Sequence, residues 1–130
     1  MHILIDSTGF SMASAAELSM FYKALFALML GLLKEVSSIR IHWYHNDRRN
    51  FEHMDGANAQ QCRDVLLQLY QTEFISDEDF PIKKAFDQCE TPFQNILRLT
   101  LELSLFRGDT LVCQFSPEKL DSGIQEEVLV

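Results

Sequence analysis

His2-Ile3-Leu4-Ile5-Asp6-Ser7-Thr8-Gly9-Phe10-Ser11-Met12 opens with a short apolar run, then an acidic residue, then a cluster of small polar residues. An unbroken apolar stretch of this length suits a strand covered on both faces, so His2 to Asp6 reads as a central strand. Ser7 to Ser11 is a small-residue turn. From about Met12 to Val36 the chain is rich in Ala, Leu, Met and Phe, mostly good helix formers. Apolar residues surround nearly all of the second half of this helix. It is expected to pack against a sheet and another element at once. Its most apolar part, Leu18 to Leu33, is interrupted by Lys23. That is short of the clean apolar length a spanning helix needs, so it reads as a core helix and no membrane contact is expected.

Outward from that start, Ile39-Arg40-Ile41-His42-Trp43-Tyr44-His45 alternates, with Ile39, Ile41 and Trp43 on one face. This is a strand pattern. Asn46 to Arg49 is a polar turn, and Asn50 to Met54 returns as the second arm of a hairpin. Asp55-Gly56-Ala57-Asn58 starts a new element. Cys62, Val65, Leu66, Leu69 and Tyr70 recur at helical spacing, which predicts an amphipathic helix to about Thr72. Glu73 to Glu90 reads as a loop. Thr91-Pro92-Phe93-Gln94 has the form of a helix start, with Thr91 as cap, Pro92 at the first helical position and Gln94 closing a capping box. The helix predicted from it runs through Ile96, Leu97, Leu99, Leu101, Leu103 and Leu105 to a stop at Arg107-Gly108. Asp109 to Phe115 is read as a second central strand, Ser116-Pro117-Glu118 as a short final helical turn, and Val128 to Val130 as an edge strand.

Strands alternating with helices predict a single α/β domain over 1–130. The expected form is a three-layer Rossmann-like domain, with a central mostly parallel sheet, one antiparallel hairpin strand and helices on both faces. The first strand should lie beside both the second and the last. Binding crevices in such sheets form outside the carboxyl ends of the strands. Asp6, Thr8, Ser11 and the Ser116 region fall there, with Thr91 joining from a helix N-terminus.

Composition narrows the function. The chain has 130 residues, 47% hydrophobic and 23% charged, the make-up of one globular domain. Eleven Lys and Arg against nineteen Asp and Glu give a net charge of −8, which opposes both phosphate backbones and anionic membranes. Cys62, Cys89 and Cys113 are odd in number and form no C-x-x-C pair, so they read as buried free thiols in a reducing cytoplasm. No basic segment precedes an early apolar stretch, so no secretory signal is expected. Glycine-rich nucleotide loops and G-x-S-x-G are absent from the sequence.

Ile3-Leu4-Ile5-Asp6-Ser7-Thr8-Gly9-Phe10-Ser11-Met12 resembles the start of a von Willebrand factor A domain, in which an apolar strand ends in D-x-S-x-S. Glu90-Thr91-Pro92-Phe93-Gln94-Asn95-Ile96-Leu97-Arg98-Leu99 is similar to the family's second motif, and Arg107 to Cys113 to the strand that follows. The resemblance runs from residue 2 to about residue 116 and implies a member truncated at its C-terminus. It also implies a metal-ion-dependent adhesion site, where Asp6, Thr8, Ser11 and Thr91 would hold Mg2+ and bridge to an acidic group on a partner protein. Phe10 stands at the third ligand position, with Ser11 one residue late. Gln114, Phe115 and Ser116 stand where the family places a carboxylate. Magnesium usually takes one or two carboxylates plus waters, and only Asp6 supplies one here. The expectation is therefore a degenerate site with weak or lost cation binding. The alternative is that Asp6 caps its turn, Thr8 and Ser11 cap the first long helix, and Thr91 caps another.

The remaining constellations carry less. His42 and His45 are three apart in a strand and face opposite sides, so with His53 they read as partly exposed hairpin histidines rather than zinc ligands. Arg40, Arg48 and Arg49 lie near Trp43 and Tyr44. The overall charge opposes a nucleic-acid face, so Trp43, Tyr44, Arg48 and Arg49 are the expected protein-partner residues. Asp77, Glu78 and Asp79 read as a solvated loop.

The functional expectation is a protein–protein interaction module, an adaptor or assembly factor with no catalytic residues. It should form a homodimer or bind a stable protein partner through an open sheet edge, after strand four or at the hairpin. The alternative is a small metal-dependent hydrolase or nuclease of the PIN type using Asp6. That chemistry needs three or four converging carboxylates, and Asp109 is expected at the opposite end of the sheet.

Overall fold

The computed structural model describes residues 1–45, 50–71, 87 and 92–121. The elements in chain order are β1 (His2–Ile5), a 3-10 turn (Phe10–Met12), α1 (Ala15–Leu32), β2 (Ile39–His45), β3 (Asn50–Gly56) and α2 (Ala59–Gln71). A second 3-10 turn (Phe93–Asn95), β4 (Ile96–Leu99), β5 (Ser104–Arg107), β6 (Thr110–Gln114) and α3 (Pro117–Asp121) follow. The chain is an α/β protein in which the described residues form a six-stranded mixed sheet in the order β3-β2-β1-β4-β5-β6.

β1 sits in the middle and pairs in parallel with β2 and with β4. The pairs β2–β3, β4–β5 and β5–β6 are antiparallel. The expected mostly parallel sheet is thus corrected: only its centre is parallel, and both flanks are hairpins. α1, α2 and α3 each contribute to one core cluster with Ile3, Ile5, Ile39, Ile41, Trp43, Leu97, Leu99 and Leu105. A smaller cluster on the other face joins Leu4, Phe51 and Ile96, with Tyr44 against it. The alternation along each strand produces this division, because successive side chains point to opposite faces.

α1 begins later than predicted. Ser14, not Thr8 or Ser11, is its cap: the Ser14 hydroxyl accepts from the Glu17 N–H, and the Glu17 carboxylate accepts from the Ser14 N–H, both at 3.1 Å. The S-x-x-E signature was present in the sequence, and it replaces Thr8 and Ser11 as the start of the helix. By length and composition α1 could cross a membrane. Here Phe21, Ala24, Leu25, Ala27 and Met29 are fully buried in the core.

The largest correction lies between residues 96 and 115. The predicted helix from Ile96 to Leu105 is the β4–β5 hairpin. Leu97, Leu99 and Leu105 are spaced by even numbers, which is also a strand period, and the sheet takes that reading. Pro92 and Gln94 lead only into the 3-10 turn. The predicted central strand Asp109 to Phe115 is instead β6, one of the two edge strands among the described residues, with Leu111 and Val112 each 53% exposed. A bulge opposite Leu105 and Phe106 interrupts its pairing. The expected turn at Asn46 to Arg49, the loop from Glu73 to Glu90, Thr91, Cys89 and the strand at Val128 to Val130 lie outside the described residues.

Candidate functional site

Asp6 follows β1 directly and continues the sheet by one bond, its N–H donating to the Leu99 carbonyl at 3.0 Å. Its carboxylate is then folded back on the chain. Oδ1 accepts from the Thr8 N–H at 3.0 Å and from the Thr8 hydroxyl at 2.6 Å. This is a local Asp turn, the conformation short polar side chains favour. Gly9, at φ 83°, lets the chain reverse after it.

On the far side, Oδ2 accepts from Arg98 Nη1 at 2.8 Å. Arg98 comes from β4, the parallel neighbour of β1, and its guanidinium lies 4.5 Å from the centre of the Phe106 ring. The pair is largely enclosed, with side-chain exposures of 19% for Arg98 and 9% for Asp6. Arg98 Nε is buried without a hydrogen-bond partner.

The loop between β4 and β5 closes the same end of the sheet. Leu103 donates to the Thr100 carbonyl at 3.0 Å and holds φ at 65° while 94% of its surface is buried, at 6% exposure. Its carbonyl accepts from the Phe115 N–H at 2.9 Å, which ties the residue before Ser116 to the β4–β5 loop; the Ser116 region lies at the same end of the sheet as Asp6, but β4 and β5 separate its strand from β1. Asp109, in the β5–β6 turn, lies at the opposite end.

Of the predicted site residues, the fold joins Asp6 and Thr8. Ser11 is exposed on the 3-10 turn, and no hydrogen bond links it to Asp6. Phe10 is a core residue packed edge-on to Phe21 at 4.9 Å. Thr91 lies outside the described residues. Among the described residues no three His, Cys, Asp or Glu side chains are grouped to hold a metal ion. A single carboxylate, engaged on one oxygen by Thr8 and on the other by a guanidinium, suits a structural ion pair better than a divalent cation. Arg98 was not singled out by the sequence reading. The available signal was a lone arginine between Leu97 and Leu99, since a charge in an apolar strand requires a partner.

The predicted partner residues are also placed differently. Trp43 is 2% exposed within the helix-side core, so its ring offers no surface. Tyr44 is half-buried against Phe51, with ring centres 5.2 Å apart. Arg48 and Arg49 lie outside the described residues. Arg40 makes two bonds to Asp55 across β2–β3, at 2.7 and 3.0 Å, and this bonding lowers the Asp55 pKa.

A second constellation corrects the reading of the hairpin histidines as partly exposed: His42 is buried, at 5% exposure, and meets His2 as well as His53. His2 Nδ1 and His42 Nε2 are 2.8 Å apart across β1 and β2, and the His42 and His53 rings are 5.6 Å apart across β2 and β3. Burial first, then the neighbouring His2, His53 and Arg40, push the His42 pKa down to about 4. Burial is also the leading reason that the His2 pKa is lowered. Burial raises the Cys62 and Cys113 thiols, which favours their protonated form.

Comparison with known protein families, characterised proteins and solved structures finds no match to this chain.

Proposed function

We propose that this chain is a protein–protein interaction module, a short Rossmann-like relative of the von Willebrand factor A domain. In it the Asp6 position serves architecture in place of cation-mediated adhesion. Arg98 supplies the positive charge at Asp6, and the interaction moves to the open end of the sheet. The observation that carries this reading is β6, an edge strand of the described sheet, whose Leu111 and Val112 are each 53% exposed. An outer strand with two adjacent apolar side chains is a template for pairing with another chain.

The occupant we assign is a second copy of this chain. Thr110-Leu111-Val112-Cys113-Gln114 carries no charge, so two copies of a −8 protein can meet there without opposing carboxylates. Antiparallel pairing about Val112 presents the same patch from both sides, as a two-fold interface requires. The bulge shortens the usable strand, so the dimer is expected to be weak and concentration-dependent. Sedimentation across a concentration series tests this. A dimer that Val112→Lys dissociates without loss of fold supports the reading. A monomer at every concentration overturns it. The cytoplasmic setting belongs to the same proposal and rests on the three unpaired-in-sequence cysteines.

A further inference from the structure

We propose that His2, His42 and His53 form an acid-operated latch across β1, β2 and β3, closed near neutral pH and opened by acidification. It is independent of the β6 interface.

The three rings share the sheet face opposite α1 and α2. His42 lies beside Leu4 in the parallel register and directly opposite His53 in the antiparallel one. It is 5% exposed, whereas His53 is exposed. The His2 and His42 rings are stacked, with centres 5.0 Å apart and 16° between planes. The 2.8 Å contact between their nitrogens needs one N–H and one bare nitrogen. Two neutral rings satisfy this, and so does one neutral ring facing one cation. When both rings are fully protonated, no acceptor remains and two cations are in contact.

One carboxylate on the described face, Asp55, offsets that state only in part. The groups acting on His42 are His2 from the β1 side, Arg40 from its own strand, and His53 and Asp55 from β3, while the Met1 amino group acts on His2. Asp55 is the only anion among them, and Arg40 already holds both of its oxygens. A buried neutral histidine binds its proton less readily when folded than when unfolded. The stability it contributes is therefore complete above the ordinary value of 6.5 and is lost as pH falls from there towards about 4. Opening separates β1 from β2 on this face and uncovers Leu4 and Phe51, which are buried beside the latch.

The test is an acid titration of the intact protein, followed by histidine ring NMR signals and by binding of an apolar fluorescent dye. The expected result is one histidine that titrates at least one pH unit below 6.5, with dye binding that rises in step. His42→Phe fills the same space without a titrating group, and it should shift dye binding down by at least one pH unit, into the carboxylate range. His2→Gln is the second variant, in case the first does not fold. By removing a neighbouring cation, it should raise the pH at which His42 titrates. The latch is overturned if all four histidines titrate near 6.5, or if dye binding follows the same pH curve in the wild type and in both variants.

Discussion

Arg98 reaches Asp6 across the β1–β4 pair at 2.8 Å, although ninety-two positions separate them in the chain. The bond ties the first strand to the fourth at the end of the sheet where a ligand would otherwise approach. Removing one partner of a fully buried ion pair costs about 3–5 kcal/mol, because the other charge is left stranded. Here partial exposure of Arg98 reduces that, and Arg98→Met should destabilise by about 2–3 kcal/mol. Asp6→Asn should cost less, because the charge it strands, on Arg98, is the more exposed of the two, at 19% against 9%. Urea unfolding of both single variants and the double variant measures the coupling. Additive losses would show that the two residues do not act together.

Magnesium should leave thermal unfolding unchanged. A ligand that binds only the folded protein adds about 2.7 kcal/mol at one hundred times its dissociation constant. With Arg98 at the carboxylate, millimolar Mg2+ or Mn2+ is expected to give no shift in Tm. A shift that disappears in Asp6→Ala would restore the adhesion-site reading.

Ser14→Ala removes the cap of α1 and should cost about 1 kcal/mol. The site is exposed, so the effect should appear as helix fraying in hydrogen exchange at Ala15 to Glu17 as well as in global stability. Ser11→Ala is the contrast and is expected to be neutral.

Leu103 sets two effects against each other. Glycine there would relieve a left-handed backbone worth about 1–2 kcal/mol. It would also remove a side chain that is only 6% exposed, a loss of about 2–5 kcal/mol judged from core Leu truncations. Packing should win, so Leu103→Gly is expected to destabilise by about 1–3 kcal/mol in calorimetry. A more stable variant would mean that backbone strain outweighs the buried contacts.

Tyr22 governs the alkaline side. Burial raises its hydroxyl from 10.0 to about 12, with Tyr70 adding to the effect. The folded state holds this proton more tightly than the unfolded chain. The stability it contributes is complete below pH 10 and is lost as pH rises through 10 to about 12. Absorbance near the tyrosinate band should show one late phase, and Tyr22→Phe should remove both that phase and part of the alkaline loss of stability.

How much of this was legible in the sequence follows from the range of each signal. β1, the β2–β3 hairpin and α2 rest on periodicity within a dozen residues, and they appear close to where they were expected. Residues 96–105 carried two local messages at once. Thr91-Pro92-Phe93-Gln94 and the leucine content favour a helix, whereas the even spacing of Leu97, Leu99 and Leu105 favours a strand. Pairing with β1 decides between them, and that contact is not local. Asp6 was visible because a strand that ends in a carboxylate is conspicuous. Arg98 and the His2–His42 contact were not, because only the strand register brings those residues together. Trp43 illustrates the converse: an aromatic beside arginines looked like an interface, but its parity along β2 turns it inward.

The central position of β1 also has a consequence for synthesis. The strand leaves the ribosome well before its second neighbour, β4, which ends only at Leu99. At roughly 5–20 residues per second the wait is roughly 5–20 s. Throughout that interval one hydrogen-bonding edge of Ile3, Leu4 and Ile5 stays unfilled, and the apolar face of α1 lacks half of its sheet. The yield of the chain in a cell should therefore depend on holding chaperones more than the stability of the finished domain would suggest.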